Sequence, residues 1–209
     1  MKQYLFGVDL GQAADYTAIC VIEKVDETLN VRHLERLKLG TPFPDQVQHI
    51  KRIYEAIRNM IPPDQIRKAG LGGGEILPIH LIVDYTGVGR AVVDLMRQEG
   101  LSPIALAITG GNDPRKEGKN WFTPKRDLVY ELILAFQTGR LKIAKSLPEA
   151  DTLTRELQNF KMKVNIKTGH DSYEAWREGV HDDLVLSVAM AVYAAKEDRP
   201  SAPILVSLR

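Results

Sequence analysis

The sequence predicts an α/β fold with a mixed central sheet, part antiparallel meander and part parallel strands, flanked by helices. Three observations carry this expectation. Residues 5–10 and 79–83 are near-continuous apolar runs, the pattern of strands covered on both faces. Three strand-like segments follow one another at the N-terminus with short connections, which suits an antiparallel meander. From residue 79 onward strand-like and helix-like segments alternate, which suits parallel crossovers.

Composition narrows the class. At 209 residues the chain suits a single domain with a sizeable core. Its 28 basic and 27 acidic residues leave a net charge of +1, so any nucleic-acid contact needs a local basic patch. Cys20 is the only cysteine, which excludes an internal disulfide and a thiolate metal site, and its apolar run marks it as core. Asp9 interrupts the only N-terminal apolar run, so no signal peptide is expected. Residues 184–195 are too few to span a bilayer and read as a buried helix, so no membrane partner is expected.

Taken in order, the first strand ends in Gly7-Val8-Asp9-Leu10-Gly11, and a polar turn carries Asp15. Residues 16–24 form a second strand and 30–39 a third, more exposed one. Val47, Ile50, Ile53, Tyr54 and Ile57 recur at helical spacing until Pro62 and Pro63 stop the helix. Residues 61–78 hold three prolines and four glycines and read as a surface insertion. The strand at 79–84 ends in Asp84, and a turn leads into a helix closed by Gly100. A fifth strand follows at 103–108, parallel to the fourth.

Residues 110–125 are polar and glycine-rich and read as a loop. Thr123 and Pro124 suit the cap and first turn of a helix ended by Gly139. A short strand at 141–144 and a helix at 148–160 come next. Residues 161–167 alternate strictly, with Met162, Val164 and Ile166 on one face, and predict a hairpin over 161–176. A closing helix starts at Asp182 or Asp183. This succession is that of the ribonuclease H-like fold, which sets the fourth strand beside the first and parallel to it.

Parallel neighbours would bring Asp9 and Asp84 to the same sheet edge, where open sheets bind ligands. The helix begun by Asp182 and Asp183 can lay its N-terminus over that edge. Carboxylates gathered there repel one another unless cations intervene, and oxygen donors suit two divalent ions, Mg²⁺ or Mn²⁺. Such ions support hydrolysis of a nucleic-acid backbone. Each acid also has a plainer reading: Asp9 and Asp84 as turn-shaping residues, Asp182 and Asp183 as a helix cap. The joint pattern favours the metal. Asp15 fits support of a metal or ordering of its own loop. His181 fits a ligand, a general acid or a brace at the start of the helix.

Two stretches are basic. Residues 111–126 set Arg115, Lys116, Lys119, Lys125 and Arg126 against Asp113 and Glu117, a net +3. Lys161, Lys163 and Lys167 add another +3 on the expected hairpin. Both suit phosphate contact without sequence reading, although lysine also guards edge strands against aggregation.

The chain resembles the nuclease domain of the large terminase subunit of tailed bacteriophages. The resemblance rests on Gly7-Val8-Asp9-Leu10-Gly11 with Asp15-Tyr16-Thr17-Ala18, on residues 81–89 around Asp84, and on Gly179-Val180-His181-Asp182-Asp183-Leu184-Val185. It implies that Asp9, Asp84 and Asp183 bind metal, with Asp182 adjacent, and that concatemeric viral DNA is cut with little sequence preference. It also implies an ATPase motor domain, a portal and a small terminase subunit as partners in the cytoplasm of an infected bacterial host. No phosphate-loop motif of such a motor occurs in these residues. Another ribonuclease H-like nuclease, such as a Holliday-junction resolvase, shares the acids. An actin-like ATPase or kinase shares only the first turn and would need a second copy of the fold.

Overall fold

The computed structural model describes residues 2–68, 75–110, 113–166 and 182–197. Strands β1 (Lys2–Asp9), β2 (Ala18–Val25) and β3 (Thr28–Arg36) form the expected antiparallel meander. Helix α1 (Phe43–Arg58) follows. Two short strands, β4 (Arg67–Lys68) and β5 (Glu75–Ile76), then pair into a ribbon separate from the main sheet, within the segment read as an insertion. Next come β6 (Ile79–Asp84), α2 (Gly89–Gln98) and β7 (Ile104–Thr109). The chain continues through β8 (Arg115–Glu117), β9 (Asn120–Pro124), α3 (Lys125–Gln137) and β10 (Leu141–Ile143). Helices α4 (Ala150–Ile166) and α5 (Asp183–Glu197) complete it.

The main sheet has eight strands in the order β10-β3-β2-β1-β6-β7-β9-β8, so the long apolar β1 and β6 lie at its centre. β6 runs parallel to β1, and β7 parallel to β6, as the crossover through α2 requires. Side chains alternate between two cores. Phe6, Val8, Ile19, Val21, Leu81 and Val83 face α1 and α2. Leu5, Cys20, Ile22, Ile82 and Leu106 face the layer containing α3 and α5. The result is a helix–sheet–helix sandwich of the ribonuclease H-like kind. Among the described residues no helix is long and apolar enough to cross a membrane.

Helix α5 is buried almost all round, from Asp183 to Ala195, because it lies directly on the sheet. Gly7 makes that approach possible. A Cβ on Gly7 would stand 1.9 Å from the Ser187 carbonyl oxygen. The absence of a side chain at this one position lets helix backbone touch strand backbone.

Three expectations need correction. Within the stretch 110–125 read as a loop, β8 and β9 form an antiparallel hairpin that adds to the sheet edge through a parallel pairing of β9 with β7. Thr123 does not cap α3, since it is buried within β9 and Pro124 takes the cap position without a side-chain bond. The hairpin expected at 161–176 does not begin where the alternation suggested. Residues 161–166 continue α4, in keeping with Leu153, Leu157, Phe160 and Val164, which recur at intervals of four, three and four. Residues 167–176 lie outside the described ones.

Candidate active site

Asp9 is the last residue of β1 and Asp84 the last of β6. The pairing of the two strands runs up to Val8 opposite Val83, so the acids follow one step later on adjacent strands. Asp9 shares its face with Leu5 and Gly7, and Asp84 shares its face with Ile82, which puts both carboxylates on the side of α5.

The position of Asp183 follows from the Gly7 contact. Two residues onward from Gly7 along β1 is about 6.6 Å, and four residues back from Ser187 along α5 is about 6 Å. With the helix packed on the strand at that contact, the two steps carry Asp9 and Asp183 to the same end of the sheet. Asp183 is only 5% exposed and Asp9 8%, and the backbone N–H of Tyr16 donates to Asp183 Oδ2 at 3.3 Å.

Electrostatics agree with the geometry. Burial raises the Asp9 carboxyl well above its ordinary range, and the charges of Asp84, Asp183 and Asp182 push it further up. Lys125 opposes this rise. Its Nζ lies 3.5 Å from Asp182 Oδ2, and only 14% of its side chain is exposed. The first residue of α3 thus sits among the acids, not on an open surface. Asp84 also accepts the backbone N–H of Thr86 at 2.8 Å, so it shapes its turn as well.

The donors are carboxylate oxygens, which suit a hard divalent cation, and the buried, mutually repelling Asp9 is the position such a cation would relieve. Among the described residues no group of three or more His, Cys, Asp or Glu side chains is arranged to hold a metal ion.

The predicted basic patch divides in two. Lys125 and Arg126 follow β9 at the acidic end, where β9 ends opposite Thr109. Lys116 stacks on the Trp121 ring at 4.1 Å and pairs with Glu197, the last residue of α5. Since α5 runs away from Asp183, that places Lys116 about 20 Å from the acids along the helix axis. Lys119 contacts Ser102 at the start of β7, also at the far end. Lys161 and Lys163 fall on α4, while Lys167 and His181 lie outside the described residues. Asp15 is exposed in the β1–β2 loop.

Three residues around the site escaped sequence reasoning. Gln46 of α1 is buried and donates to the carbonyls of Gly11 and Thr41 at 3.0 and 2.8 Å. It fixes the loop after Asp9 together with Thr17, whose hydroxyl accepts the Gly11 N–H at 3.0 Å. Glu156 of α4 is 6% exposed and accepts the N–H groups of Leu184 and Val185 at 3.1 and 3.2 Å. Arg36 of β3 lies over the Tyr16 ring at 4.5 Å and reaches toward Glu156. Their polarity in otherwise ordinary elements is the only trace in the sequence.

Comparison with known proteins gives a consistent result. No curated protein matches the chain. The large terminase nuclease of thermophilic phage G20c, solved with bound magnesium, superposes with a TM-score of 0.59 at 21% identity, covering 91% of this chain and 80% of its own. The large terminase nuclease domain of Thermus phage P74-26 gives 0.56 at 20% identity, with 91% and 78% covered. The manganese-soaked, inhibitor-bound terminase nuclease domain of human cytomegalovirus gives 0.53 at 14% identity, with 92% and 82% covered. These likenesses establish a shared fold. The family model of the terminase RNaseH-like domain matches residues 6–195, and the chain belongs to that family.

Proposed function

We propose that the domain is a metal-dependent endonuclease that hydrolyses double-stranded DNA with little sequence preference, cutting concatemeric viral DNA during genome packaging. The observation that carries this reading is the placement of Asp9 and Asp84 at adjacent strand ends, facing a helix that begins at Asp183. Asp9, Asp84 and Asp183, with Asp182 beside them, would hold two divalent ions, Mg²⁺ or Mn²⁺. Ions bound there would activate a water and stabilise the leaving oxygen of the phosphodiester.

The chain's own residues do the rest. The acids fix the site at the sheet edge, and the Gly11–Thr17–Gln46 bonds hold the loop that borders it. Lys125 supplies a positive charge beside Asp182 for the phosphate backbone, with Arg126 next to it. Lys116 and Lys119 contribute contacts farther from the acids, and Lys161, Lys163 and Lys167 add others, all independent of base sequence. Partners on this reading are double-stranded DNA, an ATPase motor domain, a portal and a small terminase subunit, and the place of action is the cytoplasm of an infected bacterial host.

Supercoiled plasmid incubated with wild type and Asp84→Ala, in Mg²⁺, Mn²⁺ or EDTA, tests the proposal. Nicking and linearisation that need metal and vanish in the variant are expected. Cleavage that survives EDTA, or that the variant retains, would overturn the assignment.

A further inference from the structure

Asp183 is the one acid of the site supplied by a helix, so its position depends on how the start of that helix is held. An ordinary N-cap comes from a residue just before the helix. Here the cap comes from a distant element. Glu156 on α4 accepts the N–H groups of Leu184 and Val185, two of the donors that a helix start leaves without intrahelical partners. Its carboxylate also faces the positive end of the α5 dipole.

The other oxygen, Oε1, lies 3.9 Å from Arg36 Nη1 and has no hydrogen bond, and Arg36 Nε is likewise buried without one. Arg36 in turn covers the Tyr16 ring, and the Tyr16 N–H donates to Asp183. Asp183 is therefore held from two directions by one connected group: through its helix by Glu156, and through its carboxylate by the loop that Arg36 covers.

We propose that Glu156, braced by Arg36, is a positioning residue for Asp183 and so sets the affinity of the site for its divalent cation. This rests on the metal-dependent reading given above. Buried groups that orient a metal ligand change affinity by about 10- to 100-fold when removed.

Calorimetric titration of the whole domain with Mn²⁺, alongside thermal unfolding, tests this with wild type, Asp183→Asn, Glu156→Ala, Glu156→Gln and Arg36→Gln. Wild type should bind Mn²⁺ and Asp183→Asn should bind it poorly; if wild type does not bind, the metal reading itself fails. Glu156→Ala should bind about tenfold or more weakly. Glu156→Gln, which keeps a neutral acceptor for both N–H groups, should stay within about threefold of wild type. Lowered melting temperature with unchanged Mn²⁺ affinity in Glu156→Ala would overturn the proposal and leave the residue a purely structural one. Should Glu156→Ala not fold, Arg36→Gln decides: weakened Mn²⁺ binding supports the positioning role, and unchanged affinity overturns it.

Discussion

Substitution of Gly7 by alanine probes the contact on which the site's geometry depends. In an unobstructed strand, alanine would gain about 0.5–1 kcal/mol over glycine. At Gly7 the new Cβ would fall 1.9 Å from the Ser187 carbonyl oxygen, whereas ordinary contact begins at 3.4 Å, so α5 must retreat by about 1.5 Å. Overpacking of this kind costs about 1–3 kcal/mol, which reverses the sign expected of the strand alone. Displacement of about 1 Å at a reacting centre costs on the order of 100-fold in rate, and the moving element carries Asp183. Urea unfolding of Gly7→Ala should show a lowered midpoint, and metal-dependent plasmid cleavage should fall by about two orders of magnitude. Gly110→Ala, where an added Cβ meets nothing within 4 Å, serves as the control. A Gly7→Ala protein as stable as wild type or more so, with full cleavage, would refute the account of how α5 sets the site.

Other expectations concern charge and the loop. Lys125→Met removes the cation that opposes the rise of Asp9, and Mn²⁺ affinity should increase several-fold in calorimetry while cleavage drops, if the same charge serves the phosphate as proposed. Burial, helped by the Asp183 charge, lifts the Glu156 carboxyl from 4.5 to about 7 against the N–H groups and Arg36 that hold it down. Since the folded value is the higher one, the metal-free protein should lose stability as pH rises from about 4.5 to about 7, by at most about 3 kcal/mol from this group, and Glu156→Gln should flatten the thermal-melt profile. Gln46→Leu leaves the Gly11 and Thr41 carbonyls without their donor, and chemical denaturation should register a loss of about 1–3 kcal/mol.

What the sequence revealed and what it hid have physical explanations. β1, β6 and α5 were legible because each is apolar over most of its length and each carries an acid at one end, so burial and anomaly coincide. The β8–β9 hairpin was missed because an edge strand has no buried face to imprint alternation: Arg115, Lys116 and Glu117 are all exposed. The stretch at 161–166 offered two periods at once, and the longer helical phase already established from Leu153 prevailed over the local alternation. The basic cluster at 111–126 looked continuous along the chain, but Lys119 sits in the hairpin turn and Lys125 follows the other end of β9, so the length of that strand separates them. Glu156, Arg36 and Gln46 act on partners far away in sequence, and a lone polar residue in a helix or strand does not announce its partner.

The hydrogen bond from the Tyr16 backbone N–H to the Asp183 carboxylate joins positions 167 apart in the chain. Contacts of such separation require closure of a long loop and are late rewards of folding. The same docking event that closes the core over β1 also delivers the last acid, so a chain folded only through its first six strands would hold Asp9 and Asp84 without Asp183. Completion of the core and completion of the acidic edge are thus one transition, and a partly folded chain lacks one of the carboxylates that the proposed function assigns to the metal.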